Sequence, residues 1–221
     1  MVGRVLRRRK RGQYAGRLRI TTLEVTSINP YSTVSPIMTE FEIVNVVGWI
    51  SYQQELDLAA LEETFVTRDE ITSVTYEPAE NHWLQTNFAP DDTYVAFYRS
   101  GRCSITGVGS VELFEDVVDR VNTVMQDLLE FDFTPESRVS NIVVTTNLNT
   151  NISLEALALQ LGLERVEYEP EQFPALIYRD QDTDAVILVF SSGKLLCTGL
   201  ADLDTISSTI TRFTDLIDPS T

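Results

Sequence analysis

Two short stretches of the chain carry similar chemistry at the same spacing. The segment "FSSGKLLCTG" begins at Phe190, and "YRSGRCSITG" begins at Tyr98. Each places an aromatic ring before a Ser-Gly turn and a basic residue, Lys194 or Arg102, after it, a pattern that predicts a β-hairpin. Lys194 is not a phosphate-loop lysine, because the upstream glycines are missing and a strand follows. A solvated turn residue is the simple alternative for Lys194.

Residues for catalysis or metal binding are scarce. The chain has one histidine, His82, and two cysteines, Cys103 and Cys197. They form no Cys/His cluster at metal-ligand spacing, and the sequence contains no nucleophile elbow. Both cysteines lie in strand-like runs, so we predict buried free thiols rather than a disulfide framework. We therefore expect no enzyme activity, no cofactor, no metal and no small-molecule substrate.

The charge is strongly negative and unevenly placed. Thirty-three acids face seventeen bases, for a formal net charge of −16. Eight bases lie in residues 1–19, so the rest of the chain has nine bases and a net charge of −24. A cationic partner would explain this acidity, but acids spread over every predicted element favour a solvated surface adapted to a high-salt cytoplasm. The chain has no run of 18 apolar residues and no secretory signal, so we expect a cytoplasmic protein without membrane contact.

Residues 1–37 have no sustained periodicity and include Pro30 and Pro36. We predict a basic, disordered extension for this part of the chain. A basic arm that contacts nucleic acid is one alternative. Upstream sequence included by a mistaken start is another, because Met38 directly precedes the first clear strand.

The rest of the chain contains an internal duplication. When residues 76–107 are placed over residues 168–199 without a gap, nine of the 32 positions are identical, including both Ser-Gly turns. The predicted repeats span residues 40–130 and 138–218.

A second match lies upstream, where "IVNVVG" at 43–48 resembles "VSNIVV" at 139–144 and puts Asn45 over Asn141. The offset there is 96 residues rather than 92. The first repeat therefore has about four extra residues, which we place within "TFVTRDEITS".

Both repeats have the same predicted elements. A β-branched strand (41–49; 140–147) precedes a helix (56–66; 153–161), four short strands and a long amphipathic helix. In the second repeat the four strands are predicted at about 165–168, 174–179, 185–190 and 194–198. The two closing helices have these apolar stripes: Val111, Phe114, Val117, Val118, Val121, Val124, Met125 and Leu128; Leu203, Ile206, Ile210, Phe213 and Ile217.

A β-α-β-β-β-β-α unit has its helices on one sheet face. Two such units side by side predict an α+β fold with one continuous antiparallel sheet. The bare face of that sheet is not polar, because "DAVILVF" is apolar on both sides and "LLCTG" nearly so. A protein, a ligand or the floor of a DNA minor groove would suit such a surface.

The second repeat resembles that of the TATA-box-binding protein family, including its archaeal members. The similarity lies in "YEPEQFPALIYR" at 168–179 and "VILVFSSGKLLCTG" at 186–199, and "FEIVNVVG" at 41–48 resembles the start of the family's first repeat. The resemblance covers about residues 40–218. Together with the acidic composition, it predicts that the protein comes from a halophilic archaeon. It implies a pseudo-two-fold saddle, in which one curved antiparallel sheet has its helices on the convex face.

The resemblance also implies a function. The family's members are general transcription factors that bind and bend A·T-rich promoter (TATA-box) DNA through the minor groove and recruit transcription factor B. Double-stranded promoter DNA and transcription factor B are thus the expected partners, at the nucleoid of a prokaryotic cytoplasm. The alternative is a diverged paralogue that acts as a protein-interaction adaptor with weak or no DNA binding.

The family's functional residues map onto specific positions of this chain. Phe173 and Phe190 would wedge into a base step, and the amides of Asn45 and Asn141 would donate to base-edge acceptors at the centre. The implied phosphate contacts are Arg102, Arg179 and Lys194. The implied groove floor consists of Val47, Val143, Leu188, Leu196, Thr106 and Thr198. The residues implied to contact transcription factor B are Glu169, Glu171 and Gln172.

Each of these assignments has a structural alternative. The two phenylalanines could be core aromatics, and the two asparagines could cap or bridge the backbone.

The first repeat departs from the family pattern. Asn81 stands where the second repeat has Phe173, and Tyr98 where it has Phe190. Trp83 would replace the missing ring only if its strand begins early enough to turn it to the same side as residue 81. The first repeat also has few cations for phosphates, so we expect DNA binding in concentrated salt, with a small dependence on salt.

Overall fold

The computed structural model describes residues 40–129 and 133–217. Within these ranges the same order of seven elements occurs twice. The first copy consists of β1 (Glu42–Ser51), α1 (Leu58–Phe65), β2 (Ile71–Thr75), β3 (Trp83–Phe88), β4 (Thr93–Tyr98), β5 (Arg102–Val108) and α2 (Val111–Gln126). The second consists of β6 (Glu136–Asn147), α3 (Leu154–Leu161), β7 (Val166–Glu167), β8 (Ala175–Arg179), β9 (Val186–Phe190), β10 (Lys194–Leu200) and α4 (Leu203–Ile217). The predicted β-α-β-β-β-β-α repeat is therefore confirmed.

The extra residues of the first repeat lie between its first helix and its third strand. The helices α1 and α3 are offset by 96 residues, whereas β3 and β8 are offset by 92. Strand β2 has five residues where β7 has two. This agrees with the segment predicted to hold the insertion.

The described strands form a single sheet in the order β2-β3-β4-β5-β1-β6-β10-β9-β8-β7, with antiparallel neighbours. The two repeats meet where β1 pairs with β6, with Val46 opposite Ile142. The register shifts on either side of this pair, next to Val44 and Ser140. Each shift is a bulge, which inserts an unpaired residue and increases the local twist.

The core lies between the sheet and the four helices. Alternate residues of β1, such as Val46 and Ile50, are fully buried. They belong to one hydrophobic cluster with Phe114 and Val121 of α2 and with the corresponding side chains of α4. The sheet residues between them point to the opposite face and are partly exposed. The helices therefore cover one sheet face, as predicted.

Helix starts are decided by caps rather than by the leucine spacing. The predicted helix at 56–66 begins at Leu58, because the Asp57 carboxylate accepts hydrogen bonds from the N–H groups of Ala59 and Ala60. Leu203 was predicted to belong to the apolar stripe of the last helix. This prediction was wrong, since Leu203, the first residue of α4, is 37% exposed.

Two further expectations concern the start of the chain and contact with membranes. The extension predicted for residues 1–37 lies outside the described residues. Within the described ranges, no helix has the length and apolar character needed to span a membrane.

Candidate nucleic-acid interface

The sheet surface opposite the helices, here called the open face, collects most of the predicted site residues. Its side chains alternate along each strand with buried ones, and cross-strand pairing places them in rows. In the first half these are Trp49, Trp83, Gln85, Asn87, Tyr94, Ala96, Tyr98, Arg102, Ser104 and Thr106. In the second half they are Thr145, Ala175, Ile177, Arg179, Val186, Leu188, Phe190, Lys194, Leu196 and Thr198. At the centre are Asn45, Val47, Asn141 and Val143.

The central residues form a symmetric tetrad. Asn45 lies opposite Val143, and Val47 lies opposite Asn141. The two amides therefore occupy one diagonal of the tetrad and the two valine side chains occupy the other.

Each asparagine is fixed by a glycine of the neighbouring strand. The Oδ1 atom of Asn45 accepts from the Gly107 N–H at 2.9 Å, and that of Asn141 accepts from the Gly199 N–H at 2.8 Å. A backbone N–H can only donate, so the carboxamide oxygen must face it and the NH₂ group must point away. Both glycines have positive φ angles, +83° and +95°, which a residue with a Cβ rarely adopts.

The NH₂ groups of these asparagines retain donor capacity. The Nδ2 atom of Asn141 lies 3.0 Å from the Thr198 hydroxyl oxygen, and that of Asn45 lies 3.5 Å from the Thr106 hydroxyl. A carboxamide nitrogen has two hydrogens, so one N–H of each amide remains for a ligand on the open face. The asparagines thus both bridge backbone, as the structural alternative held, and present a donor.

The second half of the open face is aliphatic, with an aromatic end. Leu188 lies between Ile177 and Leu196 in one row. In the next row towards the hairpin, Phe190 lies opposite Ala175. Phe173 is two residues before Ala175, in a turn where its N–H donates to the Glu169 carbonyl, and it is 41% exposed. An exposed ring in a turn is not a core aromatic.

The first half has a different aromatic pair at the equivalent end. The turn at residues 77–81 repeats the geometry of 169–173, since the Asn81 N–H donates to the Glu77 carbonyl at 2.8 Å. Asn81 therefore takes the place of Phe173. Trp83 lies on the open face directly opposite Tyr98, with ring centroids 6.1 Å apart. Its indole N–H donates to the Tyr94 hydroxyl at 3.2 Å.

The hairpins that hold Tyr98 and Phe190 are pinned to the loops after β1 and β6. The carbonyls of Gly101 and Gly193 accept from the N–H groups of Tyr52 and Leu148, both at 2.9 Å. A Cβ on either glycine would lie 2.0 or 2.2 Å from a loop carbonyl oxygen. Only glycine therefore allows this contact, which fixes the aromatic residue before each turn and the cation after it.

The sequence comparison missed one cation, Arg138 of β6, which lies beside the first half of the open face. Arg138 falls over Glu42 in the duplication, but the β1–β6 register places it opposite Trp49. The Trp49 ring also lies 4.8 Å from the guanidinium carbon of Arg102, a cation–π contact. The exposed residues Arg102 and Arg138 thus flank one tryptophan, and knowledge of the β1–β6 pairing would have been needed to find this.

The cations of the second half differ in their surroundings. Lys194 is exposed at the first position of β10. Arg179 is exposed at the end of β8, and its Nε donates to the Glu167 carboxylate at 2.9 Å. A phosphate would have to compete with this carboxylate for Arg179.

The three residues predicted to contact a protein partner lie in the exposed turn before β8. Glu169, Glu171 and Gln172 are all exposed, and the Gln172 amide donates to the Glu169 carboxylate. The Tyr168 hydroxyl, next to this turn, donates to Glu155 of α3 at 3.1 Å. The turn is therefore held against the helical layer and away from the centre of the open face.

The two thiols are part of the core rather than of this surface. Cys103 and Cys197 are free and buried on the helical side of β5 and β10. Burial raises the pKa of Cys103 well above its usual value, and burial together with the nearby Asp180 raises the pKa of Cys197 to about 11. Across residues 40–129 and 133–217 no three His, Cys, Asp or Glu side chains form a metal-binding group.

Comparison with known proteins gives consistent matches. The family model "Transcription factor TFIID (or TATA-binding protein, TBP)" matches residues 40–128 and 136–219. TATA-box-binding protein C of Halobacterium salinarum is 38% identical over 174 residues, covering 78% of this chain and 94% of that protein. TATA-box-binding protein 2 of Haloferax volcanii is 37% identical over 181 residues, covering 80% and 92%. The solved structure of Methanococcus jannaschii TBP matches with a TM-score of 0.68 and 31% identity, covering 80% of this chain and 98% of that one.

Proposed function

Because the chain belongs to the TATA-box-binding protein family, we propose that its open face lies along the minor groove of A·T-rich promoter DNA and bends it. The chain is a DNA-binding transcription factor and not an enzyme. Each repeat then covers one half of the promoter element, with the β1–β6 pair over its centre.

The anchored asparagines carry this proposal. In the minor groove an A·T pair presents only acceptors, adenine N3 and thymine O2. Asn45 and Asn141 each offer one remaining amide N–H, held in place by a glycine N–H on the other side. Val47 and Val143 complete a tetrad that has donors and methyl groups. This combination suits A·T pairs at the centre of the element.

The ends of the open face supply apolar wedges and cations. Phe173 and Phe190 would unstack a base step at the second-repeat end, at a cost of roughly a few kcal/mol per step that the contacts of bent DNA offset. At the first-repeat end, the pair Trp83 and Tyr98 would take that role. Phosphates would be met by the exposed cations Arg102, Arg138, Arg179 and Lys194.

A direct binding experiment tests the DNA function. Labelled A·T-rich duplex is titrated with protein from about 0.2 to about 3 M KCl, and bending is followed by energy transfer between the duplex ends. Asn141→Asp keeps the acceptor for the Gly199 N–H but loses the donor, so binding should weaken by roughly 10- to 100-fold. Gln126→Glu, exposed at the end of α2 on the helical side, adds the same negative charge and is the matched control. If the wild type forms no bent complex at any salt, the DNA function fails and the DNA-independent adaptor stands.

A protein partner would use the turn before β8. We expect transcription factor B to contact Glu169, Glu171 and Gln172, because all three are exposed and the adjacent Tyr168 links this turn to Glu155 of α3. Replacing all three by Ala should remove the larger complex on DNA without removing the binary one. The equivalent turn of the first repeat offers the control, Glu77→Ala with Glu80→Ala.

Since the proposed binding partner of the open face is promoter DNA, the protein would work at the nucleoid in a prokaryotic cytoplasm.

A further inference from the structure

One row of the open face differs in kind between the two repeats. In the second repeat it reads Ile177, Leu188, Leu196 across three strands. In the first repeat the equivalent row reads Gln85, Ala96, Ser104. The change replaces three large aliphatic side chains with a carboxamide, a methyl group and a hydroxyl group.

The aliphatic row is unsuited to a G·C pair. In the minor groove a G·C pair differs from an A·T pair by the protruding N2 amino donor of guanine. Against Leu188 and Leu196 this amino group would lose its water without gaining an acceptor, which is unfavourable. The second repeat should therefore exclude G·C from its half of the element.

The first-repeat row can satisfy the same group. Gln85 Oε1 and Ser104 Oγ are hydrogen-bond acceptors on partly exposed side chains. Neither side chain forms a hydrogen bond with another residue in the described part of the protein, unlike Asn87, which is held by Ser73 and by the Asp92 carbonyl. Ala96, between them in the row, is only 1% exposed, so the two polar side chains are the ones that reach a ligand.

There is also room beside Ser104. A shallow cavity of about 360 Å³ opens there, with Trp49, Tyr98 and Arg102 among its lining residues. This recess leaves space on the Ser104 side of the row.

We propose that the first repeat accepts a G·C pair in its half-site through Gln85 and Ser104, whereas the second repeat requires A·T pairs. This inference rests on the proposed minor-groove function. It means that the promoter element is asymmetric in composition and that its G·C pair fixes the direction in which the pseudo-symmetric protein binds.

Orientation on DNA is the decisive measurement. An iron chelate that cleaves DNA is attached at Ser100→Cys or at the equivalent Ser192→Cys, both exposed at hairpin turns, while the native thiols are buried. The duplexes are an all-A·T element and a set in which a single G·C pair occupies each position of one half in turn. For at least one G·C position, cleavage from residue 100 should fall on the G·C half and cleavage from residue 192 on the A·T half.

Exchange of the rows between repeats tests the residues themselves. Gln85→Ile with Ser104→Leu should lower the affinity for the oriented G·C duplex, relative to the all-A·T duplex, by roughly 5- to 100-fold. Ile177→Gln with Leu196→Ser should make the second half accept G·C and abolish the orientation. Thermal melting checks that each double variant folds. The two exchanges alter different halves of the protein, so if one variant does not fold, the other still tests the proposal.

The outcomes separate this inference from the function on which it rests. If the wild type binds the all-A·T duplex but G·C weakens binding equally in either half, with equal cleavage on both sides, the inference is overturned and the promoter function stands. If no duplex is bound, both are overturned.

Discussion

The ring of Phe114 fills the space that a side chain at residue 48 would need. A Cβ on Gly48 would lie 2.3 Å from the Phe114 Cζ atom and 2.6 Å from the Arg138 carbonyl oxygen. The equivalent positions of the second repeat hold Val144 and Ile206, both buried. The two repeats thus fill the same part of the core with different pairs of residues.

This packing predicts a compensating pair of substitutions. Gly48→Val should lower the free energy of unfolding by about 1–3 kcal/mol, because it overpacks the core. Adding Phe114→Ile should restore part of the loss, since it makes room for the valine, but not all of it, because the Arg138 carbonyl stays in place. Denaturant unfolding of the wild type, both single variants and the double variant measures this. If the two single losses simply add, the packing relationship is wrong.

Tryptophan fluorescence should report DNA binding directly. Both tryptophans of the chain, Trp49 and Trp83, lie on the open face of the first repeat. Stacking against bases or contact with sugars should quench their emission when an A·T-rich duplex is added. In Trp49→Phe the remaining signal comes from Trp83, the proposed wedge. An unchanged Trp83 signal on a duplex that is bound and bent would exclude Trp83 from that role.

Salt should affect DNA binding weakly. The chain beyond residue 19 has a net charge of −24, which repels DNA at low salt, while the open face offers only a few cations. Added KCl screens the repulsion and also removes the gain from counterion release, so the two effects oppose each other. The dissociation constant, measured against KCl concentration, should change little or improve. A plot of the logarithm of affinity against the logarithm of KCl concentration with a steep negative slope, near −0.9 for each of many phosphate contacts, would contradict this.

Arg138 has its own signature in the same titration. Arg138→Gln should make the logarithmic salt slope less negative by about 0.9, as expected for one lost phosphate contact. Arg68→Gln is a suitable control, because Arg68 pairs with Asp127 away from the open face. An identical slope for Arg138→Gln and wild type would remove Arg138 from the interface.

The thiols should be inert in the native protein. With a pKa of about 11, only about 0.1% of Cys197 is thiolate at pH 8, compared with about a quarter of a free cysteine. Iodoacetamide at pH 8 should therefore modify neither Cys103 nor Cys197 until denaturant is added, after which both should react. Mass spectrometry at timed intervals distinguishes the two states. Rapid labelling of the folded protein would show that these thiols are accessible.

The ion pair of Asp180 and Arg212 should make the free energy of unfolding depend on pH in the acidic range. Burial alone would raise the pKa of Asp180, but hydrogen bonds from Arg212 and Thr183 outweigh it and lower the pKa overall. Ionised Asp180 therefore stabilises the folded protein above the unfolded-state pKa of about 3.9, and this stabilisation is lost as the pH falls through the lower folded-state pKa. Arg212→Gln should lower the free energy of unfolding by about 1 kcal/mol at pH 7, because the Arg212 side chain is 44% exposed and solvent screens the pair. The difference from wild type should shrink towards pH 2, as denaturation at several pH values can show.

Much of the fold followed from local patterns. The duplication and its change of offset predicted two β-α-β-β-β-β-α units, and the apolar character of both faces of "DAVILVF" pointed to a surface with a partner. The family and the α+β fold are confirmed. The roles of the individual site residues stay predictions.

Other features depended on contacts between distant segments. That Trp83 faces the same side as Tyr98 depends on where β3 begins, and that Arg138 adjoins Trp49 depends on bulges at Val44 and Ser140. Periodicity reports only the alternation within one strand, whereas register between strands is set by bulges, turns and core packing. The sequence alone thus determined the repeat, its elements and its acidic surface, and the tertiary structure decided which side chains share the open face, because a single-residue shift in pairing reverses every side chain along a strand.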